Sequence, residues 1–399
     1  MRAFIVLALT TLASPLAAET LSKELGAKGI TATEARLAAL PSPTDADRFA
    51  LGGVRFLSAV ELSMQLRWAS GFIDRTGMLP MLNTRLPENP TPAAFDPALF
   101  TTLFTTVTTT MNAARAPLAD IPDSSDFGVE INFADLWFDI NANQTRDPGE
   151  DLLEVLGPIL MGWQWQSRDP ATPAPVVRFD VADAAWLSAY THMLGGMSEM
   201  ILAYDPTPPI TRIMQGRAKM ESLGTMAPDP IFGMDATAPD GFDVFATVFD
   251  MLHQTPDAPR MAAARDHFLA MVTDNRRFWT LIDKETDDAN EWLPNSRQKS
   301  ALGLDLPGDT GARWQEVLAD LEAMLNGEKL VPYWRLDGPV GVNMKRVFLE
   351  PVPIDVVGWI HGWAAAPYLE NGALISADSW NRFEGMMQGN AMLMAIYLN

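Results

Sequence analysis

Residues 139–150 read Asp-Ile-Asn-Ala-Asn-Gln-Thr-Arg-Asp-Pro-Gly-Glu. Oxygen-bearing side chains recur at Asp139, Asn141, Asn143, Thr145 and Asp147, every second residue, and the run closes on Glu150. Carboxylate, amide and carbonyl oxygens are the hard donors that calcium takes, about six to eight per ion. The spacing predicts one such set. Thr145 would serve through its main-chain carbonyl, Asp147 through a water and Glu150 with both oxygens.

This stretch resembles the EF-hand loop, and it is similar to the D-x-N-x-N-x-x-x-D-x-G-E calcium loops of bacterial surface proteins. The resemblance spans residues 139–150 only and implies bound calcium, Ca2+, with no activity attached. Two positions depart from the pattern. Gln144 stands where the motif prefers glycine, so it must accept a positive φ or the loop must turn differently. Arg146 stands where paired EF-hands place an apolar residue, which argues for a lone loop. A competing reading makes Asp147 an N-cap, Pro148 the first helical residue and Glu150 the capping-box partner of a helix over 151–160. That reading gives Asp139, Asn141 and Asn143 no role.

A second acidic cluster, Asp283, Glu285, Asp287, Asp288 and Glu291, follows an expected helix. It could hold a second cation. It could also supply the two carboxylates of a glycosidase, with Asp283, Asp287 and Glu291 as candidates, since such pairs act about 5–10 Å apart. A solvated loop accounts for it as well. His361 lies between Trp359 and Trp363, aromatics that could wall a pocket. A hydrogen-bonded, partly buried histidine is the plainer expectation there. His192 shares a helix face with Glu199 and is expected to pair with it. Met193, Met197, Met200, Met386, Met387, Met392 and Met394 offer thioethers to a soft metal, but their spacing is helical and methionine fills cores. No H-E-x-x-H, P-loop, Rossmann glycine pattern or G-x-S-x-G occurs.

Composition narrows the setting of these residues. Arg2, the apolar run 3–12 and the small pair Ala17-Ala18 read as a secretory signal peptide over 1–18, cleaved after Ala18. The expectation is a bacterial periplasmic or secreted protein with no transmembrane segment. The 399 residues contain no cysteine, so a disulfide or thiolate metal site is excluded. The net charge of −21 disfavours nucleic acid and anionic membrane surfaces. Cations, carbohydrate or a protein partner remain. The sequence thus predicts a binding or structural protein braced by calcium, with a periplasmic carbohydrate-active enzyme as the alternative.

The elements that must position these groups are mainly helical. Thr44-Asp-Ala-Asp47 caps a helix with Phe49, Phe56, Val60, Met64 and Trp68 on one stripe. Asp96-Pro97 opens another, and Asp183 precedes a third carrying Trp186, Tyr190, Met193 and Met197. Further helices are expected over 242–254, 259–283, 312–326 and 377–398. Strands are few: Val129, Ile131 and Phe133 alternate, 176–179 is a short apolar run, and Asp337-Gly338 marks a hairpin near 330–349. The fold class is mainly α, a multi-helix globular protein with a few short strands. Proline clusters divide the mature chain into a lobe over 19–204, a connection over 205–240 and a lobe over 241–399, which could also form one compact domain.

Overall fold

The computed structural model describes residues 14–72, 84–169, 171–225, 241–304, 306–387, 394–395 and 397–398. Residues 1–13 of the expected signal segment, and Met392, lie outside them. The fold is mainly helical, with two small antiparallel sheets. No helix among the described residues is long and apolar enough to cross a membrane.

Helix α1 (Ser14–Ala38) is broken at Gly29, whose φ is 74°. The break frees the carbonyl of Leu25, which the buried Trp137 indole N–H takes at 3.1 Å. A Cβ at Gly29 would lie 3.0 Å from that indole, so a glycine is needed for both reasons. Helix α2 (Asp45–Ser70) starts at the expected Thr44 capping box and ends at the left-handed Gly71. Helix α3 (Leu99–Leu118) packs on it. The strands β1 (Val129–Asn132) and β2 (Val176–Phe179) pair antiparallel, Ile131 opposite Val177. Between them lie the 139–150 loop, α4 (Leu152–Met161) and the short α5 (Trp163–Ser167).

Helix α6 (Val181–Ala203) begins two residues before Asp183, so the expected start lay inside it. Asp180 is its N-cap, and Asp183 returns the bond to the Asp180 N–H at 2.9 Å. It is the most enclosed helix of the molecule, with Ala184, Ala185, Ala189 and Leu194 all buried. Helices α7 (Thr207–Glu221) and α8 (Gly241–Leu252) form a side pair, and α9 (Ala258–Ile282) crosses α6. Gly195 and Gly196 permit that crossing: Cβ atoms there would meet His267 at 3.0 Å and Phe268 at 2.8 Å. The crossing also redirects His192. Its Nδ1 lies 2.9 Å from Nδ1 of His267, while Glu199 pairs with Arg260 at 2.8 Å. The expected His192–Glu199 pair is therefore replaced. Burial, then the charges of Arg115 and His267, pull His192 down to about 3, so it is neutral.

Helix α10 (Thr310–Leu325) lies on α9, and α13 (Asp378–Met387) on α10. The expected hairpin is present as β3 (Val331–Pro332) and β4 (Val340–Val342), extended by β5 (Leu369–Asn371). Short helices α11 (Met344–Leu349) and α12 (Val356–His361) flank this sheet. The largest hydrophobic core runs from Leu21 to Leu398 and draws on both expected lobes. Met193, Met386 and Met394 pack against it, and Met387 is part of it.

Helices α2 and α3 approach closely at Gly52. A Cβ there would sit 2.7 Å from Leu118 Cδ2 and 3.0 Å from the Ala114 carbonyl oxygen. Gly52→Ala is expected to lower stability by about 1–3 kcal/mol despite its better helix propensity, because the main chain must move. Urea unfolding of the two proteins checks this.

Candidate metal centre

The 139–150 loop is wound about its first carboxylate. Asp139 Oδ1 accepts the Asn143 N–H and Oδ2 accepts the Gln144 N–H, both at 2.9 Å. These bonds draw the chain into a tight coil. Gln144 takes the left-handed conformation, φ 64°, that the motif usually assigns to glycine, and Ala142 does so at 58°. A non-glycine in this region costs on the order of 1 kcal/mol and persists where surrounding bonds over-determine it. The objection raised by Gln144 is therefore met by a positive φ.

The last ligand position is the most buried. Glu150 is fully buried; its Oε1 accepts the Ile140 N–H at 2.9 Å and its Oε2 accepts the Asp147 N–H at 2.8 Å. Burial pushes its carboxyl up, and these N–H bonds oppose the shift. The Asp147–Glu150 bond survives from the helix-start reading, but the helix does not begin there. Gly149 is left-handed at φ 92°, so α4 starts at Leu152 behind Asp151 as N-cap. Asn141 and Asn143 both turn their amide groups on Asp147 Oδ2, at 2.9 and 2.7 Å. Those bonds hold the Asp147 carboxyl below its usual range.

Helix α2 supplies a partner that sequence spacing does not show. Glu61 is buried, and its Oε2 accepts the Asp139 N–H at 2.8 Å. One turn on, Gln65 Nε2 donates to the Asp139 carbonyl at 2.8 Å. A signal for Glu61 was present: it is an acidic residue between Val60 and Met64, on the buried side of an amphipathic helix. Burial pushes Glu61 up to about 7; the Asp139 N–H bond lowers it, and the charges of Asp139 and Glu150 raise it. Among the described residues, no Lys, Arg or His forms an ion pair with Glu61, Asp139, Asp147 or Glu150. Arg146, at the loop's eighth position, instead pairs with Asp151.

The donors fit a hard cation. All six positions carry oxygen, the coil brings their segments together, and the surrounding carboxylates lack a counter-charge. Turning the Asn141 and Asn143 amides by about 180° would offer oxygens where their nitrogens now meet Asp147, at the loss of the loop N–H bonds that those oxygens accept. The loop carboxylates do not crowd as tightly as those of a second cluster.

That second cluster rearranges the expected one. Asp180, Glu285 and Glu291 place carboxylate oxygens within 4.8 Å of one another, the one such group of three among the described residues. Asp180 was not anticipated, because it reaches the cluster as the cap of α6. Arg178 Nη1 pairs with Asp180 at 3.2 Å and lies 3.6 Å from Asp287. Burial, then the Asp180 charge, push Glu285 up to about 8, and burial pushes Asp183 well up too. The cluster is thus partly neutralised by Arg178 and partly by retained protons. Asp283 is not a member; it lines a cavity of about 230 Å³ beside Trp279 and Gly311. Of the expected grouping, Asp283 lines that separate cavity, whereas Asp287 stays within charge range of Glu291: burial first, and then the charges of Asp180 and Asp287, raise the Glu291 carboxyl.

His361 and Trp363 are set apart from Trp359 by their exposure. Trp359 stacks inward on Tyr368 at 5.8 Å, while His361 and Trp363 are exposed and lie 5.1 Å apart. The expected buried, hydrogen-bonded His361 is corrected: its carbonyl accepts from Arg335, and its ring faces outward at the end of α12. No protein-family model matches this chain, and no curated protein or solved structure is similar to it.

Glu61 gives the 139–150 loop a pH signature. The folded state holds its proton more tightly than the unfolded chain, where a glutamate titrates near 4.5. The associated stability is complete below pH 4.5 and is lost as pH rises through 7. Glu61→Gln keeps an acceptor for the Asp139 N–H and removes the charge. In chelator at pH 8 it is expected to unfold about 2–3 kcal/mol less readily than the parent, with no difference at pH 4. Urea titrations at both pH values check this.

Proposed function

We propose that this chain is an exported protein whose 139–150 loop binds one calcium ion as a brace between α2 and α4. The reading rests above all on one observation. Four carboxylates, Glu61, Asp139, Asp147 and Glu150, are gathered on the loop and its supporting helix with no cationic side chain paired to them. A divalent cation would supply the missing positive charge. The coil around left-handed Gln144 supports the same reading. Export rests on the signal-like composition of the 1–18 segment. Calcium outside cells is plentiful, and modules there bind at about 10⁻⁴–10⁻³ M, so a loop with two amide ligands suffices.

The role is structural and not catalytic. The loop's first residue is bonded to α2, and its last main-chain oxygen accepts from Phe138 N at 2.9 Å. Both attachments fix segments of the core. An ion there would couple its binding free energy to folding.

Calcium in hundredfold excess over its dissociation constant stabilises by about 2.7 kcal/mol. For a chain of this length that raises Tm by about 3 °C. Metal-stripped protein is expected to show this rise by calorimetry, with reversal by chelator and no rise in Asp139→Ala. An unchanged Tm in the parent protein would overturn the reading. A rise that survives Asp139→Ala and disappears in Glu285→Gln would move the site to the Asp180 cluster.

A further inference from the structure

At the tip of the β3–β4 hairpin and along α12, five large apolar side chains stand in water. Trp334 is 71% exposed, Val357 61%, Ile360 58%, Trp363 56% and Leu336 44%. We propose that this face is a self-association surface, on which two copies of the chain meet about a two-fold axis.

The five form one surface because hairpin and helix are tied together. Tyr333, the buried neighbour of Trp334, donates its hydroxyl to the Trp359 carbonyl at 2.6 Å. Arg335 donates to the His361 carbonyl and lies over the Trp334 indole, 5.6 Å from its centre. On α12, Val357 and Ile360 are three residues apart and share the outer side, while Trp359 stacks on Tyr368. Trp363 folds back over the helix. A Cβ at Gly358 would lie 2.5 Å from Trp363 Nε1, so that contact needs glycine. These bonds and stacks fix the shape of the face before any partner arrives, which lowers the cost of ordering it.

Area and composition match those of an interface. Side chains of about 150–250 Å² at these exposures leave on the order of 600 Å² of apolar surface in water, at the top of the range for the largest patch on a monomer. Exposed Pro332, Arg335 and His361 lie among them. Together they bring the face to about the 800 Å² that each partner buries in a standard interface. Tryptophan and arginine are the residues that most often anchor such contacts.

Charge selects a second copy as the occupant. The chain carries −21, so two copies repel one another over acidic surface. Residues 331–369 are balanced: Arg335, Lys345 and Arg346 stand against Asp337, Glu350 and Asp355, and 356–369 holds no carboxylate. A two-fold interface sets each patch against itself. A neutral, apolar patch permits that, and an acidic one does not.

Sedimentation velocity of the full protein in chelator, from about 1 to about 100 μM, tests this. The chelator keeps the outcome independent of calcium at the 139–150 loop. A dimer is expected within this range. Raising NaCl from about 20 to about 200 mM should tighten it several-fold, because salt screens the repulsion between two acidic chains. Ile360→Glu puts a like charge on the face of both copies, and Trp334→Ala removes its most exposed anchor. Each should weaken the dimer about tenfold or more with the far-ultraviolet circular dichroism unchanged. Leu223→Glu, at an exposed position just past α7, should leave the dimer intact. A monomer at about 100 μM in both salt conditions overturns the proposal, as does a dimer that both face variants leave intact. Monomeric protein that sediments with phosphatidylcholine vesicles, and loses them in Trp334→Ala, would assign the face to lipid instead.

Discussion

The molecule is organised around a helix that cannot face water. Over residues 181–196 α6 has no exposed position, so this part must be enclosed by α3, α9 and the residues near 397, while Met197 and Met200 reach the surface further on. Enclosure needs close approach, and Gly195 and Gly196 provide it on the α9 side. The same requirement sets the polar chemistry nearby. The neutral His192–His267 pair is what remains of two basic side chains once α9 has closed over them. The Asp180 cap brings a carboxylate to the turn after α9, where Glu285 and Glu291 already lie. A cation-type cluster thus arises as a by-product of starting a buried helix next to an acidic turn.

Charge is distributed on the same logic. Several arginines of this acidic chain neutralise a specific carboxylate at an inter-helix contact: Arg55 with Glu34, Arg217 with Asp243, Arg276 with Glu322 and Arg382 with Glu316. Exposed pairs of this kind are each worth well under about 1 kcal/mol, so their value lies in spacing the helices. The carboxylates around Asp139 stand outside that scheme. Glu61, Asp139 and Glu150 accept main-chain N–H groups instead, and Asp147 accepts the side-chain amides of Asn141 and Asn143.

Local chemistry was legible in the sequence where it acts over a few residues. The Thr44 box, the helix stripes and the Asp337-Gly338 hairpin each depend on neighbours within one turn or one strand pair. The winding of 139–150 was legible in part: its oxygens could be counted, but whether Gln144 would turn left-handed depended on two N–H bonds to Asp139. Glu61, Asp180 and Arg178 were not legible as members of their sites, because each arrives from a distant element. His361 shows the converse. Its flanking tryptophans suggested enclosure, yet Trp359 on α12 stacks on Tyr368 while Trp363, past the end of that helix, is exposed.

Near the other end of the chain, two main-chain oxygens act as closures. The Tyr397 carbonyl accepts the Trp186 indole N–H at 3.1 Å, and the Leu398 carbonyl accepts the buried Asn275 amide at 2.7 Å. Both donors lie in the α6–α9 interior, and their acceptors stand 211 and 123 residues away in sequence. Helix formation alone cannot make these bonds. The interior between α6 and α9 is sealed by contacts of very long range, so its closure is a late, cooperative step that waits on chain docking and not on local structure.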